Sequence, residues 1–201
     1  MSSTLTDEIA AAAARLVVEQ GMEYGPAKRR AARDLGRRAV RSVELPSNAQ
    51  VEDEVRAHLA LFCADTQPAE LRALRELAVQ WMERLAEFRP HLSGAAWRGT
   101  ATRDSALHID LYCDDQKGTE IALINLGIDF DVGTLDAGHR PVDVLSIAAF
   151  SAELGVPVTL HLIVRDLDDQ RGALRADARG RSWRGDLAAL RRLLAAPEGA
   201  A

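Results

Sequence analysis

The sequence predicts an α+β protein, with a helical segment over residues 1–90 and a mixed β-sheet domain over residues 91–201. Three observations carry this. Apolar residues recur at helical spacing as far as Pro90. The period then switches to strict alternation at Leu107, Ile109 and Leu111. Finally, two apolar runs, 142–150 and 156–164, flank Glu153-Leu154-Gly155, the pattern of an antiparallel hairpin.

Each element has its own signal. Thr6, followed by Asp7 and Glu8, predicts an N-cap with acids opposing the positive end of the helix dipole. Ile9, Ala13, Leu16 and Val17 then share a face, and Gly21 stops the helix. A second helix is expected from Pro26, which has no amide hydrogen to leave unpaired, to Gly36. Ser47 and Gln50 form a capping box for a third, carrying Val51, Val55, Leu59 and Phe62. A fourth follows Thr66 and Pro68, with Leu71, Leu74, Leu77, Trp81, Leu85 and Phe88 in register until Pro90. Beyond it, 105–114 reads as a strand with two chemically different faces, 119–126 as a helix closed by Gly127, and 128–132 as a strand. The stretch 166–169 is a charged, solvated loop, and Asp186 to Leu194 a last helix.

Composition narrows the function classes. A chain of 201 residues, 47% hydrophobic but only 4% aromatic, builds its core from Ala, Leu and Val. A formal charge of -5 excludes a protein whose whole surface is a nucleic-acid footprint. No stretch approaches the roughly twenty apolar residues of a membrane span, and Met1-Ser2-Ser3-Thr4, with no basic cluster before an apolar run, is not expected to open a signal peptide. Cys63 and Cys113 lie far apart and form neither a zinc motif nor a redox pair. A cytoplasmic, reduced setting is expected.

The most informative stretch is Gly94-Ala95-Ala96-Trp97-Arg98-Gly99, followed six residues later by Ser105 and the alternating strand Leu107-His108-Ile109-Asp110-Leu111. Glycine at such a turn lets backbone approach a phosphate closely. The layout resembles the signature of the nucleotidyltransferase superfamily, and the resemblance covers residues 92–165. It implies a nucleotidyltransferase-like mixed sheet, with Gly94, Arg98, Gly99 and Ser105 as nucleotide-binding positions. Arg98 and Arg103 would be the nearest cations for phosphate, although Arg98 bracing the turn through an acid such as Asp104 is the structural alternative. The chain also looks like a group of small proteobacterial-type proteins with an Ala-Lys-Arg helical region, here Ala27-Lys28-Arg29, ahead of a degenerate motif.

The family's metal-holding aspartates fall at Ala106 and His108, its phosphate-contacting serine at Ala95, and its third carboxylate near Thr159 or His161. Magnesium prefers oxygen ligands, so no standard Mg²⁺ site is expected and no cofactor is assigned. Asp110 lies on the face of His108, roughly 6.5–7 Å further along the strand. His108, Asp110 and His161 are therefore candidate catalytic residues, as an acid–base group or a shifted metal site. A silent, hydrogen-bonded polar face is the bland alternative.

One further feature stands out: the basic stripe Lys28, Arg29, Arg30, Arg33, Arg37, Arg38 and Arg41. It suits salt-dependent RNA contact, or else it is a solvated helix face with Ala27, Ala31 and Leu35 turned inward and Glu44, Glu52, Asp53 and Glu54 available as partners. The expected function is a catalytically degenerate nucleotidyltransferase-like protein that binds a nucleotide or RNA. The alternatives are an active transferase with an altered metal site around His108 and Asp110, the one reading that leaves room for Mg²⁺, and a ligand-free regulatory or protein-interaction scaffold.

Overall fold

The computed structural model describes residues 4–36, 45–136, 141–176 and 180–196; Arg37, Arg38, Arg41 and Glu44 lie outside them. Helix α1 (Leu5–Gln20) is capped by Thr4, not Thr6. The Thr4 hydroxyl accepts the Asp7 N–H, and the Asp7 carboxylate accepts the Thr4 N–H in return. Such reciprocal bonding spans three residues, so Asp7 selects Thr4. Gly21 ends the helix in the left-handed region at φ 61, and a Cβ there would sit 2.6 Å from the Asp104 carbonyl oxygen.

Helix α2 (Tyr24–Asp34) starts two residues before Pro26, which occupies its first turn. Leu35 is the C-cap of α2, its amide still bonded to Ala31, and it is exposed and not turned inward as expected. The Ser47–Gln50 box caps α3 (Asn48–Phe62). Helix α4 (Gln67–Arg84) carries Pro68 in its first turn and gives way to a 3-10 turn at Ala86–Phe88.

After Pro90 come β1 (His91–Ser93), α5 (Gly94–Arg98), β2 (Leu107–Cys113), α6 (Gln116–Asn125), β3 (Asp131–Asp136), β4 (Pro141–Ser151) and β5 (Val156–Asp166). A second 3-10 turn (Leu167–Gln170), β6 (Arg184–Asp186) and α7 (Leu187–Ala195) follow. The six strands form one mixed sheet in the order β3-β4-β5-β2-β1-β6. Strand β2 is interior, parallel to β5 and antiparallel to β1, and the β4–β5 hairpin lies beside it as expected. The strand expected at 128–132 begins later, at Asp131, because the Gly127 and Ile128 amides bond back to Ile124 and Leu123 and extend the end of α6. Strands β1 and β6 have no counterpart in the sequence reading.

The register sorts β2 into two faces. Leu107, Ile109 and Leu111 stand beside Leu160, Leu162 and Val164, and α4, α5, α6 and α7 cover them through Leu74, Leu77, Trp81, Ala96, Leu123 and Leu190. A second cluster, from Ile9 to Leu59, belongs to α1–α3 alone. All six strands follow residue 90, while packing groups α4 with the sheet. The other face of β2 carries His108, Asp110 and Tyr112.

Candidate functional site

The polar face gathers residues from five strands. His108 is the register partner of His161 on β5 and of Ser93 on β1, and His161 is in turn opposite Ser146 on β4. The two imidazole rings lie 5.1 Å apart between centroids. Ser146 Oγ and His161 Nδ1 share a hydrogen bond of 2.9 Å. From the turn between α1 and α2, Glu23 brings Oε1 to 3.4 Å from His108 Nε2. Gly94 permits this packing, since a Cβ there would lie 3.1 Å from His108 Nδ1.

The pKa of His161 is lowered by burial and by the neighbouring His108, against a smaller upward pull from Glu23. The neutral form is thus favoured in the folded state, while the unfolded chain takes up the proton near the ordinary value of 6.5. Stability from this residue is present above that value and lost as pH falls through it. We expect urea unfolding midpoints to drop between neutrality and about pH 5, and the drop to shrink in His161→Gln. Equal acid sensitivity in both proteins would show that His161 is not its source.

Asp110 stands apart from the histidine pair. Its carboxylate is 1% exposed and held by two guanidiniums: Arg165 Nε donates to Oδ1, and Arg184 Nη1 lies 3.5 Å from Oδ2. Arg184 also donates to the Tyr112 hydroxyl at 2.6 Å, and Tyr112 is raised in pKa by burial and by Asp110. The Cys113 thiol is raised by burial and by Asp115, Asp114 and Asp166, which keeps it from being a nucleophile at neutral pH. Among the described residues, no three His, Cys, Asp or Glu side chains are grouped to hold a metal. So His108 and His161 meet, while Asp110 turns to arginines.

The glycine segment is braced from within. Arg98 pairs with Glu52 at 3.2 Å and lies over the rings of Tyr24 and Trp183, at 4.9 and 5.8 Å. Its partner is thus an acid on α3 and not Asp104. Carbonyls of the turn are taken by Arg75 at Ala96 and Trp97, by Arg56 at Arg98 and by Gln67 at Gly99 and Ala101. Ser105 Oγ accepts the Thr102 N–H at 3.0 Å. Arg103 donates its backbone N–H to Glu70.

No family model matches the chain, and no curated protein does. Among solved structures it is similar to the poly(U) polymerase Cid1. The Cid1 complex with the UTP analog UMPNPP has 16% identity and a TM-score of 0.32, covering 50% of this chain and 31% of that one. The MgGTP-bound form gives 17% and 0.33, covering 48% and 32%. The complex with the short product ApU gives 17% and 0.32, covering 50% and 31%. This chain spans about a third of those structures. At these values the likeness bears on neither ligand nor activity.

Sequence reasoning missed Arg165, Arg184, Glu23 and Ser146. Arg165 was within reach, since it shares the parity of His161 on an alternating strand. Arg184 belongs to a strand too short to show a period, and nothing local ties Glu23 to His108.

Proposed function

We propose that this chain is a catalytically degenerate nucleotidyltransferase-like protein, in which Asp110, the acid left beside the replaced positions Ala106 and His108, belongs to a structural ion cluster, and that it binds a nucleotide or RNA without transferring it. One observation carries the first half: Asp110 is buried between Arg165 and Arg184. A carboxylate so compensated is a poor ligand for a divalent cation. Two like unit charges 4 Å apart repel by about 4 kcal/mol at an effective dielectric of 20, and a bound Mg²⁺ carries twice that charge. Ala106 and His108 add no oxygen ligand of the kind magnesium prefers.

The binding half is supported by the exposed basic surface of α2. Ala27 and Ala31 are buried, which turns Arg29 and Arg33 outward. Lys28 is more constrained, donating to the Pro46 carbonyl and to Asn48, and Arg30 pairs with Asp34 at 3.8 Å. The reading places the protein in a bacterial cytoplasm; among the described residues, no helix is long and apolar enough to cross a membrane.

The test has two arms. Incubation with labelled nucleoside triphosphate and Mg²⁺ should give no transfer above background; transfer that Asp110→Asn abolishes would overturn the reading. A single-stranded RNA oligonucleotide or a nucleoside triphosphate should bind. If RNA is the ligand, affinity should fall steeply with salt and on joint replacement of Arg29 and Arg33 by alanine. Binding of neither would leave the fold as a scaffold for a protein partner.

A further inference from the structure

At the end of the polar face away from His108, a cavity of about 820 Å³ opens between Arg89, His91 and the segment 167–175. Three exposed arginines line it, Arg89, Arg171 and Arg175, against a single acidic residue, Asp168. Several other arginines of the sheet-bearing part are paired: Arg98 and Arg181 meet Glu52, Arg165 and Arg184 share Asp110, and Arg191 meets Glu83. The three cavity arginines have no hydrogen-bonding or ion-pairing side-chain partner among the described residues. Like charges facing one space repel, and an anion in that space relieves the repulsion.

A second observation is independent of charge. Arg89 has φ 46 and ψ 59, the only non-glycine residue with positive φ among those described. A side chain in that region is strained, and Pro90 restricts the residue before it further. Two bonds hold the conformation: the Arg89 N–H donates to Ala86 at 3.2 Å, and the Arg89 carbonyl accepts from His91 Nδ1 at 2.8 Å. Glycine would close the same turn without strain. Arginine there adds a cationic residue to the cavity's lining.

We propose that this cavity binds a small ligand carrying several phosphate charges. The planar guanidinium fork matches phosphate oxygens two at a time. The volume falls in the range of small-molecule sites. Leu167 and Leu174 supply an apolar wall for an uncharged part of the ligand. The site shares no residue with the α2 stripe and stands whether or not RNA binds there.

Calorimetric titration of the full chain with inorganic tripolyphosphate tests this. The unmodified protein should bind, and more tightly than it binds orthophosphate. Arg171→Ala and Arg175→Ala should each weaken binding about tenfold or more, the effect of losing a hydrogen bond to a charged group. Arg89→Gly should weaken it similarly while the melting temperature stays level or rises, since the strain is removed along with the charge. The Arg29→Ala, Arg33→Ala double variant should bind tripolyphosphate like the unmodified protein. Absence of binding, or binding unchanged in the three cavity variants, overturns the proposal. So does binding lost only in the α2 double variant. Loss of RNA affinity in that double variant with tripolyphosphate binding intact separates the two sites and supports both.

Discussion

Replacing Asp110 with alanine will destabilise the protein by about 3 kcal/mol, the low end for breaking a buried ion cluster. The carboxylate is buried, whereas the side chains of Arg165 and Arg184 keep 18% and 23% of their exposure and can partly rehydrate. That partial access is why the lower figure applies. Asp110→Asn should lose nearly as much, because an amide keeps the shape without the charge. Replacing the carboxylate and Arg165 together by apolar residues should recover part of the loss, since fewer unpaired charges then remain. Urea unfolding monitored by fluorescence gives the numbers. The comparison also bears on chemistry: residues kept for catalysis are often a burden on stability, and their removal stabilises. An Asp110→Ala protein as stable as its parent, or more so, would mean that Asp110 is kept for a reaction.

Glu52→Ala should have an effect of similar size and a different form. Glu52 is 1% exposed; it accepts hydrogen bonds from Arg56 at 3.0 Å and Arg181 at 3.4 Å and is ion-paired with Arg98 at 3.2 Å. Without it three positive groups crowd one another, for a loss of about 3 kcal/mol. Two of those arginines, Arg98 and Arg181, lie in the sheet-bearing part of the chain, while Glu52 belongs to α3. The change therefore loosens α1–α3 from the sheet as well as weakening the whole. Differential scanning calorimetry should show the transition broaden or divide. One sharp transition at the original temperature would mean that the contact between the two parts does not depend on Glu52.

These two carboxylates show where the sequence is legible and where it is not. Alternation along β2 correctly put His108 and Asp110 on one face, and the parity of β5 added His161. Periodicity says nothing about what lies over a face, so the arginines on Asp110 stayed hidden. Glu52 was read as an acid available to the basic stripe of α2. The structure gives it to Arg56, Arg98 and Arg181, because its place next to Val51 on α3 turns it toward the sheet-bearing part. Capping was legible where two side chains bond reciprocally, as at Ser47 and Gln50, and was misplaced at Thr6 where the acid alone was weighed. Gly185 shows the limit most sharply. A Cβ on it would lie 2.0 Å from the Trp97 ring, yet these residues are distant in sequence and nothing near either one signals the other.

The cluster inside α1–α3 is built largely from short side chains: Ala13, Ala14, Ala27, Ala31 and Ala32 stand among Ile9, Val17, Val18, Val51, Val55 and Leu59. Alanine gives up no rotamer freedom on burial, so these helices order at little entropic loss. It also removes little apolar surface from water, so they gain little by staying together. A unit of this kind is easy to form and easy to open. Local opening of the protein should accordingly begin in these three helices, with the leucine-rich sheet as the last part to yield. The basic surface of α2 thus rides on the part of the molecule that is cheapest to rearrange around a partner.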